Sequence, residues 1–166
     1  GFSALIFLVQ AGISLHQAPY YIHKGLSPGE ASTIVAAFAL ASAGGGLLWT
    51  AFFARMPVRI AVGTAGAAMC SGVLLVLWAD SLIMGQIAAI VFGSGLGGVV
   101  VLLRLIWADY YGRDNLGTIR GVALPIQVCG QAAGPIIGGA LFDLTGSYTL
   151  PFRIFFVAGL LSLGFI

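Results

Sequence analysis

Few side chains in this sequence could do chemistry, and most of them lie inside or at the edge of long uncharged stretches. His16 is an imidazole among apolar residues and could take up and release a proton near neutral pH. Arg104 closes an uncharged stretch and could hold an anion. At about 100° per residue, Ser3, Gln10, Ser14, Gln17 and Tyr21 fall within about 40° of one line. Arg120, Gln127 and Gln131 share a second line, and Gln86, Gly93, Gly97 and Arg104 a third. His16 stands about 120° from the first line. Such stripes either line a polar path or hydrogen-bond to one another across helices. The sequence has no nucleophile–base pair, no metal-ligand spacing and no carboxylate in the middle of an uncharged stretch. It therefore gives no footing for an enzyme, a cofactor or a metal site. Gly93, Gly95 and Gly98 spell a literal G-x-G-x-x-G, with Asp114 nearly where a ribose-binding acid would stand. A dinucleotide site needs a preceding strand and a polar surface around it. Neither is expected here, so these glycines are read as helix-packing residues.

The elements that position these groups follow from composition. The chain has 166 residues, 60% of them hydrophobic and 7% charged, with a mean hydropathy of +1.07. A soluble domain needs about 25% charged residues to cover its surface, so the surrounding solvent must be lipid. Segments free of Asp, Glu, Lys and Arg run over 1–22, 31–54, 60–79, 81–103, 121–142 and 154–166. About 20 apolar residues cross the hydrocarbon as a helix, and the first five segments reach that length. The expected fold is all-α, a bundle of six transmembrane helices forming a single domain over 1–166. The helices should span about 1–22, 28–54, 58–79, 81–110, 115–143 and 150–166. A first residue other than Met, and an apolar stretch that runs to the last residue, suggest an internal fragment. Segment 1–22 lacks the basic start of a signal peptide. Cys70 and Cys129 lie far apart in apolar stretches and read as small packing residues. A net charge of +2 gives no reason to expect nucleic acid.

The links are short, so neighbouring helices should run antiparallel. Ser27, Pro28 and Glu30 form a capping box that starts helix 2. Arg55, Arg59, Arg104, Arg113 and Arg120 gather on one side, against Lys24 and Arg153 on the other. By the positive-inside bias the first side is cytoplasmic and helix 1 leaves the cytoplasm. A faint echo between Gly45-Gly46…Pro57-Val58-Arg59 and Gly138-Gly139…Pro151-Phe152-Arg153 hints at two three-helix repeats. Gly130, Gly134 and Gly138 are spaced by four, as are Gly93 and Gly97. In lipid, such small-residue faces let two backbones approach closely. Pro135 removes a backbone bond and bends its helix, which membrane helices tolerate when neighbours satisfy the freed carbonyl.

The stretches GLSPGEAS (25–32), ADYYGRDNLGTIRG (108–121) and GPIIGGALFDLTGSY (134–148), with six closely linked helices, resemble the major facilitator superfamily. The resemblance covers the whole chain as the C-terminal half of that fold, the family's helices 7 to 12. It looks closest to bacterial carriers of the monocarboxylate or oxalate/formate type, and GISLHQAPYYIHKGLS (12–27) is similar to that branch. The family's cytoplasmic loop motif is represented by Arg55 and Arg59, with Thr50, Ala54 and Pro57 at the positions of its first Gly, its Asp and its second Gly. Anion carriers of this branch often place an Arg or Lys in mid-membrane on the second or fifth of these helices; here only Arg120, near a helix end, comes close. The resemblance implies a secondary transporter of a small organic solute in a bacterial inner membrane, working by alternating access against an N-terminal six-helix half. Monocarboxylates or other organic anions, taken up with protons, are the expected cargo. Gln10, Ser14, Gln17, Tyr21, Gln127 and Gln131 are the expected lining of the solute path. His16 and Arg104 are the candidates for proton or anion coupling. The alternative is a multipass protein that does not transport, such as a receptor-like or assembly subunit.

Overall fold

The protein is described here from a computed structural model, which covers residues 1–53, 55–111 and 116–166. It folds as six α-helices: α1 (Phe2–His23), α2 (Pro28–Phe53), α3 (Val58–Trp78), α4 (Leu82–Tyr111), α5 (Leu116–Thr145) and α6 (Thr149–Leu163). There is no strand among the described residues. Five helices are long and apolar enough to cross a membrane; α6 has 15 residues. Helices are the expected solution in lipid, because backbone groups find no water there and must be satisfied within the segment.

The ends are set locally. After α1, Leu26 N–H bonds to Tyr21 C=O and Gly25 N–H to Ile22 C=O. This Schellman closure needs a left-handed residue, supplied by Gly25 at φ 96°. The capping box then opens α2. Glu30 Oε2 accepts from Ser27 N–H at 2.9 Å, and Glu30 N–H donates to Ser27 Oγ at 3.3 Å. At the same end of the bundle, Lys24 Nζ reaches Asp80 at 2.7 Å and the Leu77 and Ala79 carbonyls, while Tyr20 O–H bonds to Val76 C=O. These bonds cap the end of α3 from α1.

The most extensive interfaces are α2 with α4, α3 with α4 and α1 with α5, with α6 closing on α1 and α3. Exchanging α1-α2-α3 for α4-α5-α6 turns the α1–α5 contact into α4–α2, and α3–α4 into α6–α1. The packing thus has the symmetry of two three-helix repeats, the arrangement hinted at by the glycine echo. Because α1 and α4 run in opposite directions, the repeats are inverted.

Glycine sets the closest approaches. A Cβ at Gly97 would fall on the Ser42 carbonyl and the Gly46 nitrogen; one at Gly134 would fall on the Leu8 carbonyl and the Gly12 nitrogen. Both pairs run parallel, as the rising contacts Gly130–Ala4, Gly134–Leu8 and Gly138–His16 show. Gly93, Gly95 and Gly98 lie inside α4 against Phe38, Met69 and Trp49, with no strand before them and no room for a pyrophosphate. The core runs through Ile13, Met69, Phe92, Phe152 and Phe155. Cys70 is buried there, beside Gly159, whereas Cys129 is exposed on α5. α4 is the most enclosed helix, and α2 and α5 are the most open.

Candidate functional site

Close packing of α5 on α1 brings the polar groups of the two helices together. The glycine face at 130, 134 and 138 removes the side chains that would hold the backbones apart. Half-buried Gln10 donates from Nε2 to Ser14 Oγ at 3.3 Å, and Gln131 Nε2 stands 3.5 Å from Gln10 Oε1. Two residues beyond Ser14, on another face of α1, His16 Nε2 lies 3.0 Å from the Pro135 carbonyl. A carbonyl only accepts, so this ring nitrogen carries the hydrogen. The ring also rests against Tyr148 at 5.3 Å and over Gly138, where a Cβ would strike it. His16 therefore ties α1 to the Pro135 turn of α5 and to the start of α6.

Gln17 and Tyr21 share the helical line of Gln10 and Ser14 but have a different setting. Both are 0% exposed in this bundle. Neither the Gln17 amide nor the Tyr21 hydroxyl has a hydrogen-bond partner among the described residues. Tyr21 packs towards Gly85 and Ile34, at the start of α4 and on α2. The first stripe thus divides into a half-open part on the α1–α5 seam and a fully enclosed part between α1, α2 and α4.

The second stripe divides as well. Gln131 joins the seam, while Gln127 turns to a cleft of about 70 Å³ formed by Phe7 of α1, Arg104 and Trp107 of α4, and Arg120 and Leu124 of α5. Gln127 is 7% exposed, and its Nε2 has no hydrogen-bond partner among the described residues. Arg104 and Arg120 have no acidic partner within 4 Å among the described residues, where Lys24–Asp80 is the ion pair found. Helical phase put Arg104 and Arg120 on the stripes of two different helices and gave no sign that they face the same cleft. Arg55 and Arg59 are exposed around the start of α3. Ala54, Arg113 and Asp114, used in the sequence reading, lie outside the described residues.

A bundle with five helices long and apolar enough to cross a membrane has the architecture of a polytopic membrane protein. The Major Facilitator Superfamily model matches residues 1–166, the whole chain. The protein belongs to this superfamily, whose members are membrane transporters rather than enzymes, and its six helices correspond to one half of that fold. No curated protein matches the chain.

Proposed function

We propose that the protein is the second six-helix half of a secondary active carrier that takes a small organic acid, a monocarboxylate by resemblance, across a bacterial inner membrane together with a proton. The observation behind this reading is the α1–α5 seam. It links Ser14 and Gln131 through Gln10, all half-buried, on two of the most closely packed helices, with the His16 imidazole against the Pro135 carbonyl of the same interface. Amide and hydroxyl donors suit a carboxylate or hydroxy acid, and the imidazole suits a proton. Gln17, Tyr21 and Gln127 complete the candidate lining if the bundle opens between α1, α4 and α5. The other half of the fold would supply the opposite wall, and the two halves would rock about the site. The open faces of α2 and α5 suit such a partner.

Side-resolved labelling tests this. Single cysteines at Gln10 and Gln131, in full-length protein with Cys70→Ala and Cys129→Ser, should react with membrane-impermeant thiol reagents from each side in turn. Added substrate should change the rates. Residues that stay unreactive from both sides, with or without organic acids, would make the seam a static contact.

A further inference from the structure

We infer that the cleft between α1, α4 and α5 is an oxyanion-binding site, with the guanidinium groups of Arg104 and Arg120 and the Nε2 amide of Gln127 as its donors. Three features converge on one small space. First, Arg104 and Arg120 approach it from different helices, yet no carboxylate among the described residues neutralises either one. Both side chains are exposed in this bundle, and their planar forks match a carboxylate or phosphate in paired hydrogen bonds. Second, Gln127 is enclosed, lines the same cleft and keeps an amide nitrogen without a partner. An unpaired buried donor is costly, and an anion would satisfy it. Third, the remaining walls are apolar and aromatic: Phe7, Trp107 and Leu124.

A volume of about 70 Å³ admits one carboxylate- or phosphate-sized group rather than a whole sugar or nucleotide. The site adjoins the Gln10–Ser14–Gln131 seam, with Phe7 and Gln127 one helical turn from Gln10 and Gln131, towards the arginine-rich end of the bundle, cytoplasmic by charge bias. There it can meet a free organic acid or phosphate from the cytoplasm, or the phosphate of an anionic lipid. The chemistry of recognition is the same in each case. The inference does not require the transported solute to be an acid.

The test is equilibrium binding to the full-length protein in maltoside micelles, with no transport involved. Acetate and inorganic phosphate are titrated as free anions, and phosphatidylglycerol is compared with phosphatidylcholine as the lipid source. Thermal stabilisation and bound label are read together. At least one oxyanion should bind, and Arg120→Gln should weaken it roughly tenfold, as expected for loss of a charge-assisted contact. Gln127→Leu, close in size and less threatening to folding, should weaken it several-fold, and Arg104→Lys should keep part of it. Stabilisation by acetate or phosphate assigns the site to free anions; stabilisation by phosphatidylglycerol alone assigns it to a headgroup. Binding of all three probes unchanged by Arg120→Gln and Gln127→Leu, or no binding by wild type, overturns the inference. Binding that survives while organic-acid uptake is absent would sink the transport reading and leave this one standing.

Discussion

His16 on α1 and Pro135 on α5 are joined by a 3.0 Å hydrogen bond from an imidazole Nε2–H to a backbone carbonyl. The contact spans two parallel helices whose backbones approach at Gly130, Gly134 and Gly138. It is the one place on the seam where a titratable side chain holds a proline-bearing turn. Protonation fixes hydrogens on both ring nitrogens; deprotonation leaves one to choose between the Pro135 carbonyl and other partners. If the carrier is driven by protons, His16→Gln should uncouple it. Solute exchange should persist while accumulation driven by a pH gradient is lost. Counterflow and gradient-driven uptake in the same vesicles separate the two, and equal loss of both would assign His16 to binding or folding instead.

The glycines give a prediction that can go wrong in either direction. Gly134→Val drives a side chain into the Leu8 carbonyl and must part α1 from α5, a clash expected to cost about 1–3 kcal/mol or more. Gly63, on α3, has nothing within 4 Å of where its Cβ would lie. Gly63→Ala should therefore leave stability unchanged or raise it by up to about 1 kcal/mol, from helix propensity. Thermal unfolding in one detergent compares the pair. A tolerated Gly134→Val would show that the two backbones are not held as close as described.

Gln17 is an enclosed amide without a protein partner. Replacing an unsatisfied buried polar group by an apolar one of similar shape is neutral or stabilising, by about 1 kcal/mol. Gln17→Met should keep or raise the melting temperature and, if the proposed solute lining holds, lower transport. A loss of stability would mean that the amide serves the fold.

Lys24 predicts a pH dependence. Partial burial works against its charge, but hydrogen bonds to Asp80 and Tyr20 and the attraction of Asp80 prevail, so its pKa lies above the ordinary lysine value of 10.5. A group with a raised folded-state pKa contributes its full stabilisation below the unfolded value and loses it as pH rises through the folded one. The tie between α1 and the end of α3 should thus hold through neutral pH and fade only above the lysine range. Melting temperatures of wild type and Lys24→Met should differ by a constant amount up to about pH 10 and converge above it.

Much of the fold was legible because lipid narrows the choices. Uncharged lengths near 20 residues, with short links, leave little but a helix bundle. Glycine spacing showed which faces pack closely, but not against which helix. That Gly130, Gly134 and Gly138 meet α1, while Gly93 and Gly97 meet α2, depends on the bundle's symmetry and left no mark at the glycines themselves. Helical phase placed Gln10, Ser14, Gln17 and Tyr21 on one line. A helix crossing its neighbours at an angle is covered on different sides along its length, so Gln17 and Tyr21 are enclosed and the first two are not. Arg120 and Gln127 likewise share a line with Gln131 yet meet a different helix. The partner of Lys24 could have been suspected, since Asp80 is the lone acid in the short link between helices 3 and 4.

If this bundle is half of the proposed proton-driven carrier for a small organic acid, vesicles containing the full-length protein should take up labelled acid. A panel of mono- and dicarboxylates is offered under an inward proton gradient, with and without uncoupler, beside a Gln10→Ala/Gln131→Ala variant. One monocarboxylate should accumulate above its equilibrium level, the accumulation should collapse with uncoupler, and the variant should lose it. No uptake of any acid, with the protein inserted and folded in the membrane, would contradict it.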